Sequence, residues 1–182
     1  MVARLAELLR QLDADSGSSA GDLFDEIEAE IESDPVGSRP VVLAYQGRPG
    51  YRIRALGLLG DPADFDTLEA ALADSRLRDG ALEALGCQPD GVRVDAIARA
   101  LLDDPNPGIR ARAAGLVAFY ARPGALGLLA PLVRDPDRHV RTVLGWRLRA
   151  FGEAALPSIE ALLNDPDEQV RSFAARGLQK HS

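Results

Sequence analysis

A short signature recurs along this 182-residue chain at a nearly constant interval, and that interval constrains the fold more than any single residue does. Three copies read DPNPGIRARAA from Asp104, DPDRHVRTVLG from Asp135 and DPDEQVRSFAA from Asp165. Each has an Arg six residues after its Asp: Asp104/Arg110, Asp135/Arg141 and Asp165/Arg171. Two weaker copies lie upstream, YRIRALGLLG from Tyr51 and LRDGALEALG from Leu77. The pairs at 51/52, 77/78, 109/110, 140/141 and 170/171 are 26, 32, 31 and 30 residues apart. Units of that length cannot bury an apolar face alone, so successive copies must bury theirs on one another. The period therefore predicts a stacked array, not a conventional globular core.

Within each copy the pattern predicts two helices. The first ends on an apolar pair: Ala71/Leu72, Leu101/Leu102, Leu132/Val133 and Leu162/Leu163. Asp-Pro then forces a turn, because the residue before proline avoids the α region. The second helix opens near the Arg. In the fourth copy its apolar stripe is Val140, Val143, Leu144, Leu148 and Phe151, at helical 3–4 spacing. Gly60, Gly86 and Gly152 fall where second helices should stop. Pro157 suits a helix's first turn, and Pro131 should break the helix it falls in.

The N-terminal segment belongs to no copy. Residues 2–13 read as an amphipathic helix with Leu5, Leu8, Leu9 and Leu12 on one face. SGSSAG is a break. Residues 22–33 form a second helix with Leu23, Phe24, Ile27 and Ile31 on one stripe and acids opposite. Residues 1–35 carry ten acids and two arginines, a net −8, against +1 for residues 36–182 and −7 for the whole. We expect residues 1–35 to form an acidic helical cap and 36–182 the repeat domain. One reading has the N-terminal helices only covering the first repeat; another has them shielding a binding face.

DPDRHVRTVLGWRLRAFG and DPDEQVRSFAARGL resemble HEAT repeats, especially the short bacterial type named for phycobilisome lyases. The resemblance implies an all-α fold: a right-handed α-solenoid of about five HEAT-like helix pairs, with second helices lining the concave side. It also implies that Asp104, Asp135, Asp165, Arg110, Arg141 and Arg171 are scaffold residues bonding neighbouring turns. VRTVLGWRLRAFG is further similar to a Gly-Trp-x-Leu-Arg segment of HEAT-like DNA alkylation-repair glycosylases, which implies DNA contact for Trp146. IRARAA is loosely similar to their Arg-x-Ala segment, which implies a catalytic-site position for Arg112. The chain departs from that family at Ile109, where an aromatic belongs, and it has no counterpart of the family's Trp-and-Asp motif.

The sequence supplies no catalytic motif, cofactor loop or metal-ligand spacing. His139 and His181 have no partner at ligand spacing, and Cys87 is the only cysteine. No apolar run is long enough for a membrane span, so a cytoplasmic setting is expected. Twenty of the twenty-one basic residues are Arg; Lys180 is the exception. Advancing 100° per residue from Val140 puts Thr142, Gly145, Trp146 and Arg149 on the presumed concave face. The candidate binding residues are Trp146, Arg149, Arg176, Arg112 and Arg147, because aromatic–Arg surfaces are hot-spot chemistry. Two function classes follow: a non-enzymatic protein-interaction scaffold, and a nucleic-acid-binding protein. The net charge of −7 disfavours the second, since nucleic-acid binding needs a basic footprint. Small stripes at Ile53, Leu56 and Gly57, and at Ala111, Ala114, Gly115 and Ala118, predict close approach of another helix, which the N-terminal helices could supply.

Overall fold

Prolines and N-cap acids open the helices where the spacing requires. The computed structural model describes residues 2–15 and 20–178. His181, Lys180 and most of the SGSSAG break lie outside them. The described residues form helices joined by turns, with no strand among them, and they cluster into two units, 1–90 and 91–182.

The first unit holds α1 (Val2–Ala14), α2 (Ala20–Ser33), α3 (Pro35–Ala44), α4 (Pro49–Leu59), α5 (Phe65–Ala71) and α6 (Arg78–Gly86). Leu5, Leu8, Leu9 and Leu12 of α1 and Phe24, Ile27 and Ile31 of α2 are all buried. Each such burial is worth about 1.5–3 kcal/mol. Helices α1 and α2 pack on each other and on α3, and α2 also lies against α4. The N-terminal segment thus stacks as one more helix pair, with Asp22 in the first turn of α2. Helix α4 in turn packs on α6 and stops at Gly60, whose φ of 60° is left-handed and suits glycine.

The second unit holds α7 (Gly91–Ala100), α8 (Pro107–Tyr120), α9 (Ala125–Leu129), α10 (Arg138–Arg147), α11 (Leu156–Leu163) and α12 (Glu168–Leu178). Pro131 ends α9, and the chain continues as a 3₁₀ turn over Ala130–Arg134. A second 3₁₀ stretch, Leu148–Ala155, follows α10 and bends at Gly152, φ 56° and ψ −140°. The second helices form a row in which α8 packs on α10 and α10 on α12. Val140, Leu144 and Leu148 are fully buried, as their spacing predicts.

The small residues are the contacts within these rows. A Cβ built at Gly57 would stand 2.6 Å from both Cα and Cβ of Ala84 on α6. One built at Gly145 would stand 3.0 Å from the backbone nitrogen of Ala174, and one at Gly177 would stand 2.8 Å from the carbonyl oxygen of Gly145. This corrects two expectations. Gly57 is covered by the next second helix, not by the N-terminal helices, and Gly145 is buried against α12, not displayed beside Trp146. Helical periodicity gives a residue's angle but not which neighbour occupies that direction.

Candidate functional site

Arg110 and Arg141 each tie two turns together. The Arg110 guanidinium donates from Nε and Nη2 to the two carboxylate oxygens of Asp135, both at 2.8 Å. Its Nη1 donates to the carbonyls of Asp104, 2.8 Å, and Pro105, 3.3 Å. Arg141 repeats this with Asp165, at 2.7 and 3.1 Å, and with the carbonyls of Asp135 and Pro136, at 2.7 and 3.2 Å. A planar fork suits this bidentate geometry. Each Asp also accepts from the backbone two residues on, Asp135 from Asp137 and Asp165 from Asp167, both at 2.8 Å. The Arg110 hydrogen bond holds the Asp135 carboxyl below its ordinary pKa. At Asp165 burial pushes the other way, but the Arg141 hydrogen bond and the Asp167 N–H outweigh it, and the net shift is downward.

Arg171 makes only half of this set. Its Nη1 donates to the carbonyls of Asp165, 2.7 Å, and Pro166, 2.9 Å. Among the described residues it forms no ion pair. The two upstream copies also depart from the pattern. Arg78 donates to the Leu72 carbonyl, 2.7 Å away and six residues back, as a ladder arginine should. Arg52 has a buried Nε with no hydrogen-bond partner among the described residues. The first unit is instead fastened by Arg39, paired with Asp61 at 3.0 Å and with Asp64, and by the Tyr45 hydroxyl, which donates to Asp13. The Asp13-Ala14-Asp15 pattern, matching Asp165-Pro166-Asp167, is the signal that could have flagged the latter.

With the signature residues engaged in scaffolding, the binding candidates are those beyond it. Trp146, near the end of α10, is half-buried. The Arg149 guanidinium lies 3.7 Å from the centroid of its ring. The Nη1 of Arg149 is buried and has no hydrogen-bond partner among the described residues. Arg147 is exposed and reaches toward α8, its Nε 3.9 Å from where a Cβ on Gly115 would lie. Arg176 is exposed on α12, 5.5 Å from the ring of Phe173. Phe173 is a half-buried aromatic that sequence reasoning passed over; it stands where Val143 stands in the preceding copy. Arg112 is half-buried on α8 and already partnered. The structure therefore joins Trp146 with Arg149, sets Arg147 and Arg176 on adjoining helices, and engages Arg112 in a contact of its own.

Repeat length, two-helix architecture and the Arg–Asp ladder now converge on one family comparison. Residues 94–180 match the family model for HEAT repeats. The helix pairs within that stretch are similar to HEAT repeats. No curated protein matches the chain.

Other features offer less chemistry. An open hollow of about 560 Å³ between α1 and α3 is walled by Ala6, Leu9, Pro40, Val41 and Ala44, with Arg10 and Asp13 among its lining. Its walls are mostly apolar. Among the described residues no group of three His, Cys, Asp or Glu side chains is placed to hold a metal ion. No helix there is long and apolar enough to cross a membrane. His139 is exposed, and its backbone N–H donates to Asp137 at 2.7 Å. Burial, with Glu83 and Glu28 nearby, pushes the Cys87 thiol above its ordinary pKa, the reverse of what a nucleophile needs.

Proposed function

We propose that the chain is a non-enzymatic binding scaffold that docks a segment of a partner protein across the face carrying Trp146. The Trp146–Arg149 stack carries this reading. A half-buried aromatic held by a guanidinium 3.7 Å from its centroid presents a large, pre-ordered contact at small entropic cost. Stacked helix pairs supply the rigid support such an anchor needs. In this reading residues 1–35 are the cap of the array, which agrees with the burial of the apolar faces of α1 and α2.

Trp146 is the only tryptophan, so its fluorescence reports directly on the face. A photo-crosslinking residue placed at position 142, one turn before Trp146 on α10, should capture a protein partner. Trp146→Ala should abolish co-purification of that partner while leaving the helical circular dichroism and the melting transition in place. Salt-sensitive binding of DNA, lost in Trp146→Ala and Arg149→Ala, would replace this reading with nucleic-acid recognition.

A further inference from the structure

We infer that the partner's anchor is an acidic segment, two or three Asp or Glu residues flanking an apolar one, gripped by Arg149 and Arg147 beside the Trp146 ring. The inference rests on the scaffold reading and specifies the chemistry of its ligand.

The charge around Trp146 is lopsided. Residues 105–152 contain eight arginines and two acids, Asp135 and Asp137, in a chain of net charge −7. Neither acid is spare. Asp135 is held bidentately by Arg110, and Asp137 caps α10 by accepting from the N–H of His139. Helix α8 and helix α10 contain no acidic residue. Arg147 therefore has no carboxylate on its own helix, Arg149 shares its 3₁₀ stretch with the exposed Glu153, to which it is not ion-paired, and Arg176 shares α12 with Glu168 at the opposite end. Among the described residues none of the three arginines forms an ion pair.

Arg149 sharpens the argument. Its Nη1 is removed from solvent yet donates to nothing among the described residues. A guanidinium with one donor desolvated and unpaired is costly to keep, and a carboxylate taken on its other nitrogens offsets that cost. The fold shows which anion its arginines take: at both complete rungs a guanidinium holds a carboxylate through two hydrogen bonds of 2.7–3.1 Å. The Trp146 ring beside Arg149 supplies a surface for the apolar residue between the acids.

A short acidic peptide fits this face better than a nucleic acid does. Two or three arginines suffice for a few carboxylates, whereas a polyphosphate needs an extended basic track and is repelled at long range by a net −7 chain.

The test titrates the full chain with three probes. These are a ten-residue peptide alternating Glu and Leu, its Lys–Leu counterpart, and a ten-nucleotide single strand. Binding is read by Trp146 fluorescence and by anisotropy of the labelled probe. The Glu–Leu peptide should bind, more tightly at low salt. Arg149→Gln should weaken it about tenfold and Arg147→Gln about threefold, as truncating a central and a peripheral contact does. Arg149→Lys should fall between wild type and Arg149→Gln. Arg147 is exposed, so its variant keeps the test valid should Arg149→Gln unfold. Equal binding of the Lys–Leu peptide would overturn the acidic assignment but leave the scaffold reading intact. Tighter binding of the oligonucleotide would overturn both. Silence with both peptides would overturn the acidic assignment, while crosslinking from position 142 decides the scaffold reading separately.

Discussion

Replacing Arg141 by Met keeps the aliphatic stem and removes the guanidinium that joins two repeats. Its side chain is 13% exposed and that of Asp165 only 5%. An exposed ion pair is worth about 0–1 kcal/mol, and removing one partner of a fully buried pair costs about 3–5 kcal/mol. Burial this deep, with two hydrogen bonds to the carboxylate and two to carbonyls, places Arg141→Met at about 3 kcal/mol. The array contains its own control. Arg171 makes the same two carbonyl bonds and, among the described residues, has no carboxylate. Arg171→Met should therefore cost only about 1 kcal/mol, and the difference isolates the Asp165 half. Asp165→Asn retains an oxygen for the Asp167 N–H, so the cycle of Arg141→Met, Asp165→Asn and the double variant measures the pair itself. Urea denaturation should give a coupling energy of about 2 kcal/mol. Additive single effects, or equal costs for Arg141→Met and Arg171→Met, would refute the claim that these rungs hold the repeats together.

Acid should act on the same bonds. The carboxyls of Asp135 and Asp165 titrate lower folded than unfolded, so their contribution is complete above about pH 4. It is lost as pH falls through the lowered values; melting temperatures should drop there, and by less in Arg141→Met. Gly57→Ala drives a methyl to 2.6 Å from the Ala84 backbone and should destabilise by about 1–3 kcal/mol. Gly80→Ala, inside α6 with nothing within 4 Å of the new Cβ, should stabilise by about 0.5–1 kcal/mol; a differential melt comparing the two variants checks both signs. Cys87, its thiol pushed up by burial and two glutamates, should react with a disulfide reagent at pH 7 more slowly than the same thiol in denaturant.

The ladder was readable because its chemistry is local in each copy: an Asp, a turn and an Arg at fixed separation. The same rule read too much into Tyr51-Arg52, where the spacing is present but the Asp-Pro turn is not, and Arg52 leaves a buried nitrogen unbonded. Arg39 with Asp61 and Asp64 escaped notice because it joins different elements and does not recur. Helical angle places Trp146 and Arg149 on one side of the chain, and the two stack at 3.7 Å. It fails for Gly145, one residue away, because a helix wheel has no information about the neighbouring helix. Close approach at Gly145 and Gly177 depends on both helices at once.

The half-made bonds of Arg171 give the array a direction. Arg110 and Arg141 each lock their own helix to the following turn, so α8 and α10 cannot open without breaking a carboxylate grip, whereas among the described residues α12 has none. Amide exchange and proteolysis should begin at α12 and travel toward α8, as a zipper opens from its unhooked end. Arg176 sits on that loosest helix, and Trp146 sits on the next one in. A ligand that bridges the two would slow exchange across α12 far from its own contacts, so occupancy of the face could be timed from the fraying of the helix beneath it.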